Sequence, residues 1–209
     1  MKTVKLFLPL LLLPLLLLTL TGCLEVVQHV GAGPDDSLEN YVRVTLQRSI
    51  FAFAEAFGGE AMSDDDFARE FGMTESEVLQ DIPEGVSARF EQVITDYDYG
   101  FALRTTTARA FQTNEAPLIP FVRGNELLIP LPAGDEDGMD EAAFFLASAK
   151  YRIILDKSIW PVVRSAHVLG AGGEPAPIDV TEFRSVWLLE FPVILWLGGG
   201  ESPLVVIRG

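Results

Sequence analysis

Apolar and polar positions change period repeatedly along the chain. Leu6 to Leu20 is nearly continuous leucine, interrupted by Phe7, Pro9, Pro14 and Thr19. Leu24 to Val30 then mixes β-branched and polar residues as a strand does, and Tyr41 to Leu46 alternates again across the turn cluster Gly31 to Asp36. These two segments predict a hairpin. From Ser49 to Phe57 the period becomes helical: Ile50, Phe53, Ala54 and Phe57 recur on one stripe, and Gly58-Gly59 ends it. Ser63 before three aspartates predicts a capped helix that stops at Gly72. Thr74-Glu75-Ser76-Glu77 is a capping box for a second helix carrying Val78, Leu79 and Ile82. Val86 to Ile94 reads either as a third helix or as the first arm of a hairpin.

After Asp96-Tyr97-Asp98-Tyr99-Gly100 the chain is rich in strand formers. Phe101 to Thr107, Leu118 to Val122 and Leu127 to Ile129 are candidate strands, and Pro120 restricts the second of them to a sheet edge. Glu141 to Ala149 predicts one more helix. Five strand-length segments follow: Tyr151–Leu155, Trp160–Leu169, Val180–Leu189, Val193–Leu197 and Leu204–Ile207. Their short turns predict consecutive antiparallel strands of one sheet. All three tryptophans, Trp160, Trp187 and Trp196, fall here. The run Trp187 to Leu197 reads as a strand pair buried on both faces, or as a sheet face lining an apolar cavity or meeting a partner. The expected fold is one α+β domain over 23–209. Its antiparallel sheet comes mostly from the C-terminal half plus the N-terminal hairpin, and the helices of 49–90 and 141–149 cover one face.

The leucine run has a basic start (Lys2, Lys5) and a small-residue exit, which is the order of a secretory signal. It is shorter than the roughly 20 residues needed to span a bilayer. Its end, Leu20-Thr21-Gly22-Cys23, resembles the lipobox of bacterial lipoprotein precursors. The resemblance implies that Cys23 receives a diacylglycerol thioether and, after residues 1–22 are removed, becomes the acylated N-terminus. Leu24 at the next position implies the outer membrane in a two-membrane cell, and otherwise the outer face of the plasma membrane.

Removing residues 1–22 takes away two of the 15 basic residues and none of the 30 acidic ones, so the formal charge deepens from −15 to −17. A surface this acidic repels phosphate backbones, which argues against nucleic-acid binding. It also leaves membrane attachment to the acyl chains, since no polybasic stretch assists them. Cys23 is the sole cysteine. Lipidation consumes its thiol, so the domain is expected to hold together by packing, without a disulfide or a cysteine metal ligand.

The search for catalytic patterns gives little. There is no Gly-x-Ser-x-Gly elbow, no His-Glu-x-x-His and no phosphate-cradling Gly-Lys-Ser/Thr loop. His29 and His167 read as satisfied or surface histidines. Asp96 with Asp98 is one of many carboxylate pairs in an acidic chain. Asp64-Asp65-Asp66 reads as an acidic first helical turn. Asp135 to Glu141 reads as a solvated loop, because the spacing of a calcium-binding loop is missing. No catalytic residue, metal site or cofactor is expected.

A lipidated cysteine, then strand–turn–strand, then helices, then a β-rich end with Tyr-x-Ile-x-Leu (Tyr151 to Leu155) and the late Trp187 is similar to LppM-type bacterial lipoproteins. That resemblance implies an α+β domain related to lipid-binding folds. The chain departs from it in having a helical block at 63–90 and no terminal membrane helix. The expected function is therefore a non-catalytic envelope lipoprotein that binds an apolar or amphiphilic ligand between sheet and helices, with Trp160, Trp187 and Trp196 as candidate contacts. The rival is a scaffold or assembly adaptor holding an envelope protein partner at a Trp-rich edge. A carboxylate-based hydrolase is the third reading.

Overall fold

The computed structural model describes residues 24–49, 63–70, 72–80, 82–113, 116–132, 149–170, 174–195 and 203–209. Cys23, Trp196, the helix expected at 50–57, most of the helix expected at 141–149 and the acidic run 135–141 lie outside the described residues.

The N-terminal hairpin forms where the alternation places it. β1 (Leu24–Ala32) pairs antiparallel with β2 (Ser37–Gln47), from Leu24 opposite Leu46 to Ala32 opposite Leu38. Asp35 and Asp36 make the turn with φ of 53° and 58°, a left-handed conformation that a short polar side chain tolerates. Val86 to Ile94 is the first arm of a hairpin: β3 (Ser87–Ile94) pairs with β4 (Asp98–Ala108), which in turn pairs with β2. On the other side of β1 lies β7 (Lys150–Asp156), parallel to it. Next come β11 (Val186–Pro192) and the short β10 (Asp179–Glu182). The larger sheet therefore runs β10-β11-β7-β1-β2-β4-β3. A second sheet of five strands holds β5 (Phe121–Arg123), β6 (Glu126–Pro130), β12 (Leu204–Arg208), β8 (Ser165–Leu169) and β9 (Pro175–Pro177), in that spatial order.

Two expectations are overturned here. The first is the fold class. The described chain is mostly strand, and the two sheets bury their apolar faces in a shared core instead of under a layer of helices. Val26, Val42, Ile153 and Leu155 of the larger sheet belong to one buried cluster with Leu127, Ile129, Val205 and Ile207 of the smaller. The described helices are α1 (Asp64–Glu70) and α2 (Glu75–Gln80). At seven residues α1 is about 10 Å long, whereas seven strands span about 28 Å. A helix of that size cannot cover the sheet. Both helices nevertheless start as their sequences predict. The Asp66 amide donates to Ser63 Oγ at 3.2 Å, and Thr74 and Glu77 exchange the bonds of a capping box at 3.3 and 3.4 Å.

The second correction concerns the five C-terminal segments, which do not form one consecutive antiparallel sheet. β7 and β11 join the larger sheet, while β8 and β12 join the smaller. Only the last five residues of Trp160–Leu169 are strand. Val180–Leu189 contains the β10–β11 turn, and Val193–Leu195 is a 3-10 turn. Nor is β11 dry on both faces: Leu189 and Phe191 are buried, while Leu188 and Glu190, which alternate with them, are half-exposed. Two-faced burial falls instead on β6 and β12, where Leu128 and Val206 join Phe121 in a second cluster behind the main core. Pro120 precedes the edge strand β5 and is buried.

Polar groups sit inside the main core. Gln28 and Asn40 point inward from β1 and β2. Gln28 Nε2 donates to Asn40 Oδ1 at 2.6 Å and to the Leu118 carbonyl at 3.0 Å. Asn40 Nδ2 donates to Thr105 Oγ1 at 3.1 Å and to the same carbonyl at 3.0 Å. The Tyr151 hydroxyl donates to Gln28 Oε1, and burial pushes that phenol's pKa well up. Leu118 is held at φ 64°. It lies seven-hundredths exposed at the junction, its carbonyl reading both amides. The cluster is satisfied, which is the condition for burying it at all.

Candidate functional site

Strand register gives the larger sheet two distinct ends. Leu24, Leu46, Tyr99 and Ile94 form one row across β1, β2, β4 and β3. Six residues along β1, Val30 lies level with Leu155, Trp187 and Glu182, about 20 Å away at strand rise. The first end begins at Leu24, and the second is remote from it.

The outward face of the larger sheet is charged and paired. Arg152 of β7 bridges Glu25 of β1 at 3.0 Å and Glu190 of β11 at 3.1 Å. Towards the remote end, His29, Gly31, Ala32, Glu39, Tyr41, Arg104 and Asp156 line a cleft of about 310 Å³. His29 Nε2 stands 3.4 Å from Asp156 Oδ1. Gly31 makes room for that aspartate, since a Cβ there would meet Asp156 Oδ2 at 2.6 Å. Arg104 Nη1 donates to Glu39 Oε1 at 2.6 Å and its guanidinium lies 5.4 Å from the Tyr41 ring centre. The cleft can hold a polar group against the sheet. Its charges are already matched to one another, and its lining carries no serine, threonine or cysteine to act as a nucleophile. A shallower groove of about 600 Å³ runs along β8, β9 and β12 past His167, Leu169, Pro175 and Arg208. Partial burial, followed by the Arg208 charge, lowers the His167 pKa. Donation from Arg208 to Glu126 at 2.9 Å lowers that carboxyl's pKa.

The tryptophan candidates separate. Trp160 follows β7 and is buried, with Gly209 against its ring. Trp187 on β11 is half-buried, and its Nε1 donates to the Trp160 carbonyl at 3.0 Å. Lys157 Nζ sits 4.4 Å from the Trp187 ring centre and bonds Glu182 of β10 at 2.6 Å. The structure thus brings Trp160 and Trp187 together and uses them to clamp the outer hairpin; Trp196 lies outside the described residues.

Two groups of exposed apolar side chains were not legible in the sequence. Among the described residues, the exposed large apolar side chains are Ile94, Tyr97, Val162, Val180 and Phe183. Val180 and Phe183 belong to the β10–β11 hairpin, and Val162 stands two residues past the carbonyl that holds Trp187. Ile94 and Tyr97 belong to the β3–β4 turn at the other end. Exposure of this kind depends on which strand ends a sheet, and hydropathy alone does not give that. No group of three or more His, Cys, Asp or Glu side chains within reach of one ion occurs among the described residues. No described helix is long and apolar enough to cross a membrane. Asp98, one of the carboxylates of the 96–98 pair, faces Arg43 at 3.6 Å.

No family model matches the chain, and no curated protein matches it. Among solved structures, the chain is similar to the folded domain of the Mycobacterium tuberculosis protein LppM, determined by NMR, at 11% sequence identity and a TM-score of 0.34, covering 90% of this chain and 91% of that one. A likeness this low in both measures carries no argument about either fold or activity.

Proposed function

We propose that the chain is a lipid-anchored, non-catalytic envelope domain that holds a protein partner along the free β10 edge of its larger sheet. One observation supports this reading above the others. Val162, Val180 and Phe183, exposed by 50%, 39% and 51%, lie on the β10–β11 hairpin or two residues past Trp160, whose carbonyl accepts from the Trp187 side chain of that hairpin. Solvated large apolar groups gathered at one edge are the mark of a surface that is covered in use. All four residues of β10 are exposed and the strand has a neighbour on one side only, so its backbone can accept an extended segment by strand addition. Asp179 and Glu182 on that edge disfavour pairing with a second copy of so acidic a chain and favour a basic segment. The anchor rests on Leu20-Thr21-Gly22-Cys23, with the envelope as its location.

An apolar ligand held between sheet and helices lacks support, because the described helices do not cover the sheet. The clefts lined by His29 and by Arg104 are polar.

The test is site-specific photocrosslinking in intact cells. A photoreactive residue in place of Arg184 is expected to give a discrete protein adduct that Phe183→Asp abolishes. The same residue in place of Glu91, on the opposite edge strand, is expected to give none. Equal adducts from both edges, or none from either, would sink the adaptor reading. A lipid at fixed stoichiometry in native mass spectrometry of the purified domain would restore the ligand reading instead.

A further inference from the structure

We infer that the β3–β4 turn is a second, non-covalent membrane contact, with Ile94 and Tyr97 seated in the interfacial layer of the bilayer that holds Cys23. The inference rests on the anchor proposed above and adds a surface to it.

The tether leaves the domain almost no freedom to stand away from the lipid. β1 starts at Leu24, one residue after the anchoring cysteine, and consecutive Cα atoms are about 3.8 Å apart. Leu24 shares its row with Ile94 three strands away, a lateral distance of about 14 Å at ordinary strand spacing. The end of the sheet that carries the anchor therefore also carries this turn. Its two outermost apolar side chains are Ile94 at 54% and Tyr97 at 79% exposure. No described residue but Phe183 and Val162 approaches these values among large apolar groups, and Phe183 belongs to the remote end. A tyrosine, apolar along its ring and polar at its tip, suits the water–hydrocarbon boundary.

The turn is also held rigid, so these side chains are presented and do not merely hang from a loop. The Thr95 hydroxyl accepts from the Tyr97 and Asp98 amides at 3.1 and 2.8 Å. The Arg48 amide donates to the Tyr97 carbonyl at 2.7 Å, and its guanidinium reaches the Thr95 carbonyl at 3.4 Å. Charge at this end is partly cancelled locally. Arg48 pairs Asp64 at 2.7 Å, and Arg43 pairs Asp98 at 3.6 Å. Lys150, exposed at the base of β7 in the same end of the sheet, adds a cation facing the headgroups.

The experiment uses the full-length acylated protein in phosphatidylcholine vesicles that contain a headgroup-nitroxide lipid. A thioether at Cys23 leaves no reactive thiol, so maleimide labelling of the unsubstituted protein tests the anchor first. Labelling at Cys23 would overturn the anchor itself, separately from the contact. With the anchor in place, a fluorophore on Asp96→Cys is expected to be quenched several-fold more than one on Arg184→Cys at the remote end. Ile94→Ser with Tyr97→Ser is expected to bring the two values together. Equal quenching in the unsubstituted background would overturn the contact. So would strong quenching at position 96 that survives the double substitution, since the tether alone would then explain it.

Discussion

The Leu118 carbonyl is where most of the fold's specificity at single-residue scale is concentrated. It accepts from Gln28 and Asn40 at 3.0 Å each, and so keys the loop before the smaller sheet into the centre of the larger one. Replacing Asn40 with leucine removes its bonds to Thr105 and Leu118 and strips one from Gln28. An unmade buried bond costs about 1–3 kcal/mol, so Asn40→Leu is expected to lower unfolding free energy by roughly 2–4 kcal/mol in urea titration. Leu118→Gly offers a finer comparison. Glycine relieves a left-handed strain of about 1–2 kcal/mol, but losing a buried leucine side chain costs about 2–5 kcal/mol. The variant should be less stable than the parent in the same titration. His167 provides a pH signature. Its folded pKa lies below the ordinary 6.5, so the unfolded chain takes up the proton first. Its contribution is therefore full above about pH 6.5 and is lost as pH falls through the folded value. The urea midpoint should drop between about pH 7.5 and 5.5, with His167→Gln flattening that slope. These polar roles were not legible in the sequence. Gln28 and His29 are adjacent polar residues in one strand, and only the partner from position 118 decides which of them faces inward.

Elements whose signals are local were legible, and those whose identity depends on a distant neighbour were not. Ser63 and the Thr74–Glu77 box announced both helix starts, and the β1–β2 hairpin could be read from its turn, whereas Val86 to Ile94 fitted a helix as well as a hairpin arm. Tyr151–Leu155 and Leu204–Ile207 were both recognisable as strands. Their alternation is the same, however, and nothing in it says that one joins β1 while the other joins β6. The error in fold class has the same root, because helix signals that are correct over seven and six residues do not measure how much sheet they can cover. Gly100 shows how tightly an element can depend on its neighbour. A Cβ there would stand 2.0 Å from the Val44 carbonyl oxygen and 2.8 Å from the Thr45 Cα, both backbone atoms that cannot swing aside. Gly100→Ala must push β4 off β2. It is expected to cost about 1–3 kcal/mol and to raise amide exchange from Tyr99 to Ala102 before it affects the β10–β11 hairpin.

Across the whole molecule, the strand that comes first in the chain lies near the middle of the larger sheet, closed on its far side by a parallel partner more than a hundred residues later. Loop closure on this scale places the chain among slow folders, in the millisecond-to-second range or longer. Removing residues 150–209 would take away β7, β8 and β12 together. The remaining fragment is expected to elute as soluble aggregate in size-exclusion chromatography and not as a folded half, because β1 is left with an open edge and an uncovered apolar face. The position of β1 also sets an order of events. On the proposed anchor, the bond cut during maturation lies between residues 22 and 23, and Leu24 is already paired on one side with Leu46. An enzyme that modifies Cys23 or cleaves before it works within one or two residues of the first pair of the sheet. On that anchor, acylation and cleavage are expected to precede the pairing of β1 with β2, which begins one residue after the modified cysteine.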